Sequence, residues 1–162
     1  MTVGLIPGSF DPFHNGHLEV VERASLIFDE IVVAAIRNPQ KSEALFDLDE
    51  RRDMIAESLS HLENIRIVSI AGLLVNVARD VNATAIVKGL RAISDFESEM
   101  QMAQMNRSLS GVETLFLPSS SHYSFIASRL LREVARYGGD VTAFVPGPVA
   151  KRLYDKFPEG TS

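Results

Sequence analysis

Short uninterrupted apolar runs alternate along the chain with stretches whose apolar positions recur every three or four residues. Val3, Leu5 and Ile6 form the first run, a strand that ends at Pro7-Gly8. Pro7, Gly8, Pro12 and Gly16 keep the next residues irregular until about Asn15. From there Leu18, Val21, Ala24 and Phe28 follow helical spacing. Ile31–Ile36 contains no alternation and reads as a strand buried on both faces. Asp47 and Glu50 fit a capping box for a helix to about Ser60, with Leu48, Ile55 and Leu59 on one side.

Ile65–Ile70 is the third predicted strand, followed by a short helix over Leu73–Asp80. The fourth strand, Thr84–Val87, stops at Lys88-Gly89-Leu90-Arg91. Ser94 and Glu97 again fit a capping box, for a helix to about Leu109. Glu113–Leu117 is the fifth strand and Pro118–Tyr123 a serine-rich loop. A helix over Ser128–Tyr137 closes at Gly138-Gly139, and a last one runs from Pro148 to before Pro158. Five alternations predict an α/β fold, a single-domain Rossmann-like five-stranded parallel sheet with helices on both faces. Residues 1–162 read as one domain without repeat, linker or low-complexity segment.

Sheets of this kind bind ligands beyond the carboxyl ends of their strands. The polar clusters fall there: Gly8–His17, Arg37–Lys41, Gly72–Leu74, Lys88–Arg91 and Ser119–Arg129. One composite site is therefore expected. A helix opening after the first strand offers unpaired N–H groups and a positive dipole end to an anion. His14 and His17 stand beside it. A single histidine there would read as a cap or surface residue; the pair within Gly-Ser-Phe-Asp-Pro-Phe-His-Asn-Gly-His favours chemistry. His61 reads as surface and His122 as loop at the rim. Lys88 and Arg91 flank Gly89, offering a point charge and a planar fork to a polyphosphate, whereas Lys41 reads equally as a solvated charge. Glu99 and Asn106 are seven apart and share a helix face. Met100, Met102 and Met105 read as packing, and apolar residues on two faces of that helix point to contact with another subunit.

Composition narrows the field. At 162 residues, 46% hydrophobic and 23% charged, the chain can bury one ordinary core. It has no cysteine, which removes disulfides, thiolate metal sites and cysteine nucleophiles, and agrees with a reducing compartment. No leader pattern opens the sequence, and Ile31–Ile36, the longest clean apolar run, is too short to cross a bilayer. A cytoplasmic location without a membrane partner is expected. A net charge of −5 speaks against nucleic acid as a partner, so an anionic ligand needs local clustering of the basic residues. Phosphate-loop, dinucleotide and serine-hydrolase motifs are absent, and so is metal-ligand spacing. Ser119–Ser121 and Ser124 accordingly read as phosphate holders at another helix start, not nucleophiles.

His14-Asn15-Gly16-His17 matches the T/H-x-G-H signature of nucleotidyltransferases. Val87–Arg91, Asp95–Glu97 and Glu99–Asn106 are more discriminating. With Pro7–Pro12 and Tyr123–Ile126 they resemble the phosphopantetheine adenylyltransferases of bacterial coenzyme A synthesis, from about residue 3 to residue 155. The resemblance implies AMP transfer from ATP to 4′-phosphopantetheine, giving dephospho-coenzyme A and pyrophosphate. It implies catalytic roles for His17, Lys41 and Arg91, with His17 stabilising the pentacovalent transition state. ATP would lie on Ser9, Phe10, His17, Gly89, Leu90, Arg91, Glu99, Tyr123, Ser124, Phe125, Ile126, Ala127, Ser128 and Arg129. Phosphopantetheine would lie on Ser9, Lys41, Leu73, Leu74, Lys88 and Asn106. The resemblance further implies magnesium carried by the ATP phosphates without a protein cage, coenzyme A or dephospho-coenzyme A as product or feedback ligand, and a homohexamer of two trimers.

This sequence departs from the family pattern in three places. His14 replaces a frequent threonine, Lys88 a frequent arginine, and Ala127 and Arg129 interrupt an Ile-Ser-Ser-Ser run. A phosphate acceptor is anionic already and needs no general base, so positioning and charge stabilisation suffice for direct in-line attack. Nicotinate mononucleotide adenylyltransferase shares the His-x-Gly-His loop and, loosely, the run Ile126–Arg132, but the Lys88–Asn106 block disfavours it. A non-catalytic ATP-binding module is the reading from another class. Length excludes a tRNA synthetase.

Overall fold

Five parallel strands alternate with six helices in a computed structural model that describes residues 1–37 and 43–158. In chain order they are β1 (Val3–Gly8), α1 (Asn15–Ser25), β2 (Glu30–Ile36), α2 (Leu48–Ser58), β3 (Ile65–Ile70), α3 (Leu74–Asp80), β4 (Ala85–Leu90), α4 (Ile93–Ser110), β5 (Glu113–Pro118), α5 (Ser128–Arg136) and α6 (Gly147–Lys156). The sheet order is β3-β2-β1-β4-β5. The predicted fold class is the observed one.

Both faces are covered, which is why β2 needs no polar alternation. Ile31, Val33 and Ala35 enter a core with α1, α2, α5 and α6, through residues such as Val21, Ile55, Leu131 and Leu153. Val32 and Ala34 enter a second core on the opposite face, with Leu5, Ile86 and Val77 of α3. Each such aliphatic side chain contributes about 1.5–3 kcal/mol by leaving water. The Asp47–Glu50 capping box forms as expected, each side chain accepting the other's backbone N–H at 2.8 and 2.9 Å.

Two departures from the sequence reading bear on the site. β4 continues through Lys88, Gly89 and Leu90, which pair with Phe116, Leu117 and Pro118 of β5. Polar and glycine residues persist in this strand because its end borders a cleft. The next helix does not start at the Ser94–Glu97 pattern. α4 starts at Ile93 behind Ala92, which makes no side-chain cap, so Ser94 falls inside the first turn.

β1 is central, and its two partners treat it differently. It pairs with β2 along all six residues, Val3 to Gly8. With β4 the register holds only at Gly4–Ala85 and Leu5–Ile86. Beyond those two pairs the strands separate, at the point where the strand order reverses and open α/β sheets hold their ligands.

Candidate active site

The gap between β1 and β4 opens a cavity of about 410 Å³. Ile6, Pro7 and Gly8 form one wall, and Val87, Lys88 and Gly89 the other. The α1 start supplies His14, Gly16 and His17, α4 supplies Glu99, and the α5 start supplies Ala127, Ser128 and Arg129. Two helix N-termini therefore meet one cleft, which suits an anion. Gly89 lets α1 approach the sheet closely, since a Cβ there would stand 2.9 Å from Val20 Cγ2.

His14 is the N-cap of α1. Its Nδ1 accepts the N–H of Gly16 at 3.0 Å and that of His17 at 3.4 Å. His17 Nδ1 in turn accepts the His14 N–H at 3.1 Å, completing a capping box in which a histidine takes the usual glutamate position. The rings stack with centroids 3.6 Å apart. Burial, reinforced by Arg91, pushes His14 down to about 3, and burial with His14, Arg91 and Lys88 holds His17 well below the ordinary imidazole value. Both rings are neutral at pH 7. Since each Nδ1 is an acceptor, the proton of each sits on Nε2.

The cations are held in place by local anions. Lys88 Nζ lies 3.4 Å from Glu99 Oε1, and Arg91 Nε lies 3.2 Å from Asp95 Oδ2. Arg91 also donates to the Ile126 carbonyl at 3.0 Å, tying the end of β4 to the loop before α5. The Ser128 hydroxyl donates to the Pro12 carbonyl at 2.8 Å, which joins the α5 start to the first loop.

That first loop is tightly constrained. Phe10 has φ +50°, a left-handed conformation that costs a non-glycine residue on the order of 1–3 kcal/mol. Its ring is almost fully buried and meets His17 edge-on, centroids 4.9 Å apart. Guanidinium groups hold the carbonyls on both sides: Arg51 Nη1 donates to Ser9 O at 3.0 Å, and Arg132 Nη1 donates to Asp11 O. The Asp11 carboxylate accepts the N–H groups of Leu45 (3.0 Å) and Phe46 (2.9 Å). Arg51 Nε donates to Phe46 O at 2.8 Å.

Of the residues singled out in the sequence, Ser9, Phe10, His17, Lys88, Gly89, Arg91, Glu99, Ala127, Ser128 and Arg129 line this cavity together. Leu90 ends β4 outside it, and Asn106 is buried further along α4. Ile126 is core, and it reaches the site through its backbone carbonyl. Tyr123 packs against the same core, and Ser124 lies in the turn beside it. Phe125 is exposed and meets Phe144 edge-on. Leu73 is the exposed N-cap of α3, and Leu74 packs on the second core. Lys41 lies outside the described residues. Ser119, read from sequence as a phosphate holder, also lines the cleft, as do Asp11 and Arg132, which were given no role from sequence. Asp11 stood inside the singled-out loop, but its partners Leu45 and Phe46 are more than thirty residues away. Among the described residues no group of three or more His, Asp or Glu side chains is arranged to hold a metal ion.

The profile of the cytidylyltransferase-like family matches residues 5–134. A protein of Heliobacterium modesticaldum named phosphopantetheine adenylyltransferase is 49% identical over 158 residues, covering 97% of this chain and 94% of the relative. One of the same name from Synechococcus elongatus is 50% identical over 154 residues, covering 94% and 92%. Among solved structures, a bifunctional NMN adenylyltransferase/ADP ribose pyrophosphatase from Francisella tularensis, complexed with AMP and a manganese ion, superposes with a TM-score of 0.70 at 15% identity. The match covers 98% of this chain and 51% of that one. A putative nicotinate-nucleotide adenylyltransferase from Vibrio parahaemolyticus gives 0.66 at 16%, covering 95% and 92%. At such identities the structural likeness is one of fold.

Proposed function

We infer from a chain that belongs to the phosphopantetheine adenylyltransferases, within the cytidylyltransferase-like family, that it is a nucleotidyltransferase moving AMP from ATP to 4′-phosphopantetheine. The products are dephospho-coenzyme A and pyrophosphate. One observation carries the reading beyond kinship: a neutral, buried His17 at a helix N-terminus, in a cleft walled by Lys88, Arg91 and Arg129. Such a site stabilises charge on phosphoryl oxygens and supplies no strong nucleophile of its own.

In the reaction, an oxygen of the acceptor phosphate bonds to the α-phosphorus of ATP as the bond to the bridging oxygen breaks, and pyrophosphate leaves with that electron pair. Negative charge grows on the α-phosphoryl oxygens. The Nε2–H of His17 donates to one of them, an interaction strongest in the transition state. Arg91 and Arg129 hold the departing phosphates, while Lys88, and Lys41 by family resemblance, hold the acceptor. Ser9, Phe10, Gly89 and Glu99 place the nucleotide.

Magnesium would be carried by the ATP phosphates. Asp11 is committed to two amides and Glu99 to Lys88, which supports this route over a protein cage. The ion would supply charge neutralisation there. A cytoplasmic location fits the cysteine-free sequence, and among the described residues no helix is long and apolar enough to cross a membrane. Exposed Met102, Met105 and Leu109 on α4 and Leu115 on the edge strand β5 support contact with another copy of the chain, and family resemblance makes that assembly a homohexamer of two trimers. Coenzyme A or dephospho-coenzyme A is the expected product-side ligand.

Pyrophosphate release from magnesium and ATP, with phosphopantetheine and nicotinate mononucleotide as separate acceptors, tests the reading. Release with phosphopantetheine alone is expected. Release with the nucleotide alone would move the chain to the less supported activity, and ATP binding without release would make it a binding module.

A further inference from the structure

We propose that Arg51, a residue of α2 that takes no part in lining the cleft, is a positioning residue that aims His17 by holding Phe10 in its left-handed conformation. This rests on the adenylyltransferase reading for its kinetic arm only. Arg51 is 4% exposed, and burying a charge so deeply is costly unless several partners repay it. Its donors reach the Ser9 and Phe46 carbonyls, at 3.0 and 2.8 Å, and its Nε lies 3.8 Å from the Asp11 carboxylate. The same carboxylate receives the Leu45 and Phe46 amides. One guanidinium thus joins the first loop, 42 residues away at Ser9, to the segment before α2.

Phe10 lies between the two points that are fastened. Arg51 holds the peptide group immediately before Phe10 through the Ser9 carbonyl, and Arg132 holds the Asp11 carbonyl one peptide group further on, so rotation about Phe10 toward an ordinary φ would have to break one of these bonds. The Phe10 ring then stays against His17. Loss of Arg51 frees the Ser9 side, and the ring and the imidazole lose their fixed relation. A positional error introduced by a residue far from the reacting atoms costs rate more than binding.

The experiment compares Arg51→Met and Arg51→Lys with the unaltered protein. Steady-state kinetics and long-range proton–nitrogen NMR of the histidines are the two readouts. For Arg51→Met we expect kcat to fall about tenfold to a hundredfold, with the KM for phosphopantetheine within about twofold and the KM for ATP, which Ser9 and Phe10 also help to place, rising by a smaller factor than kcat falls. The His17 ring nitrogens shift in the NMR spectrum, and amide signals of β3 and α3 stay in place. Arg51→Lys, which keeps the charge and one donor, gives an intermediate kcat. Folded variants with unchanged kcat, or with a raised KM at unchanged kcat, would overturn the proposal. So would loss of the fold in both variants, which would make the residue structural. The NMR arm needs no substrate: an inactive parent would contradict the assigned reaction, while a displaced His17 signal would still support the positioning role.

Discussion

The His14 and His17 rings stack 3.6 Å apart, and each Nδ1 accepts a backbone N–H from the other residue. Protonating either Nδ1 would break a cap of α1. The unfolded chain takes up those protons near pH 6.5, whereas the folded chain resists them, His14 down to about 3. Stability from this pair is therefore complete above pH 6.5 and is lost progressively as pH falls below it. The urea midpoint should drop between pH 7 and pH 5, and drop less in His14→Asn, whose side chain still caps the helix. Equal drops in the two proteins would contradict the assignment.

Replacing His17 by alanine removes the donor to the transition state. Turnover should fall about 10²- to 10³-fold. ATP affinity, measured by calorimetry, should change by no more than about threefold. Matching losses in both quantities would place His17 in ground-state binding instead.

Gly89→Ala puts a Cβ 2.9 Å from Val20 Cγ2, between β4 and α1. The overpacking should cost about 1–3 kcal/mol in chemical unfolding and lower activity by displacing Lys88 and Arg91. Adding Val20→Ala should restore most of both. Failure of that second change would mean that Gly89 is needed for something other than space.

Lys88 and Glu99 form a partly buried pair that any incoming anion must compete with. Glu99→Gln should tighten 4′-phosphopantetheine, whose phosphate we place on Lys88, about two- to fivefold, the range of modest ion pairs. ATP, which we place partly on Glu99, should bind more weakly to the same variant. Both affinities falling together would mean that the carboxylate does not screen Lys88.

Most of the architecture was legible because burial on both faces leaves a plain signature. Ile31–Ile36 had to be a central strand, and the strand ends had to converge on one cleft. Signals that depend on distant partners were hidden. Nothing near Arg51 in sequence announces that it holds Ser9 and Phe46, and nothing near Asp11 announces Leu45. Ile126 illustrates a different limit: its side chain obeys the core and its carbonyl serves Arg91, so a residue-type argument saw only half of it. At Lys88–Leu90 the polar pattern marked the cleft and masked the strand, and at Ser94 a real capping pattern lost to a helix that starts earlier.

The short β1–β4 seam has a consequence for how the protein is made. Strands β1 to β3 leave the ribosome first and can zip together through two six-residue registers. Until Ala85–Leu90 follows, β1 is an edge strand whose unpaired backbone groups lie open to any passing strand. When β4 arrives it shields only Gly4 and Leu5 directly. The nascent chain therefore carries its half-built active site as its stickiest margin. A chaperone that covers β1 during translation would protect both the fold and the cleft.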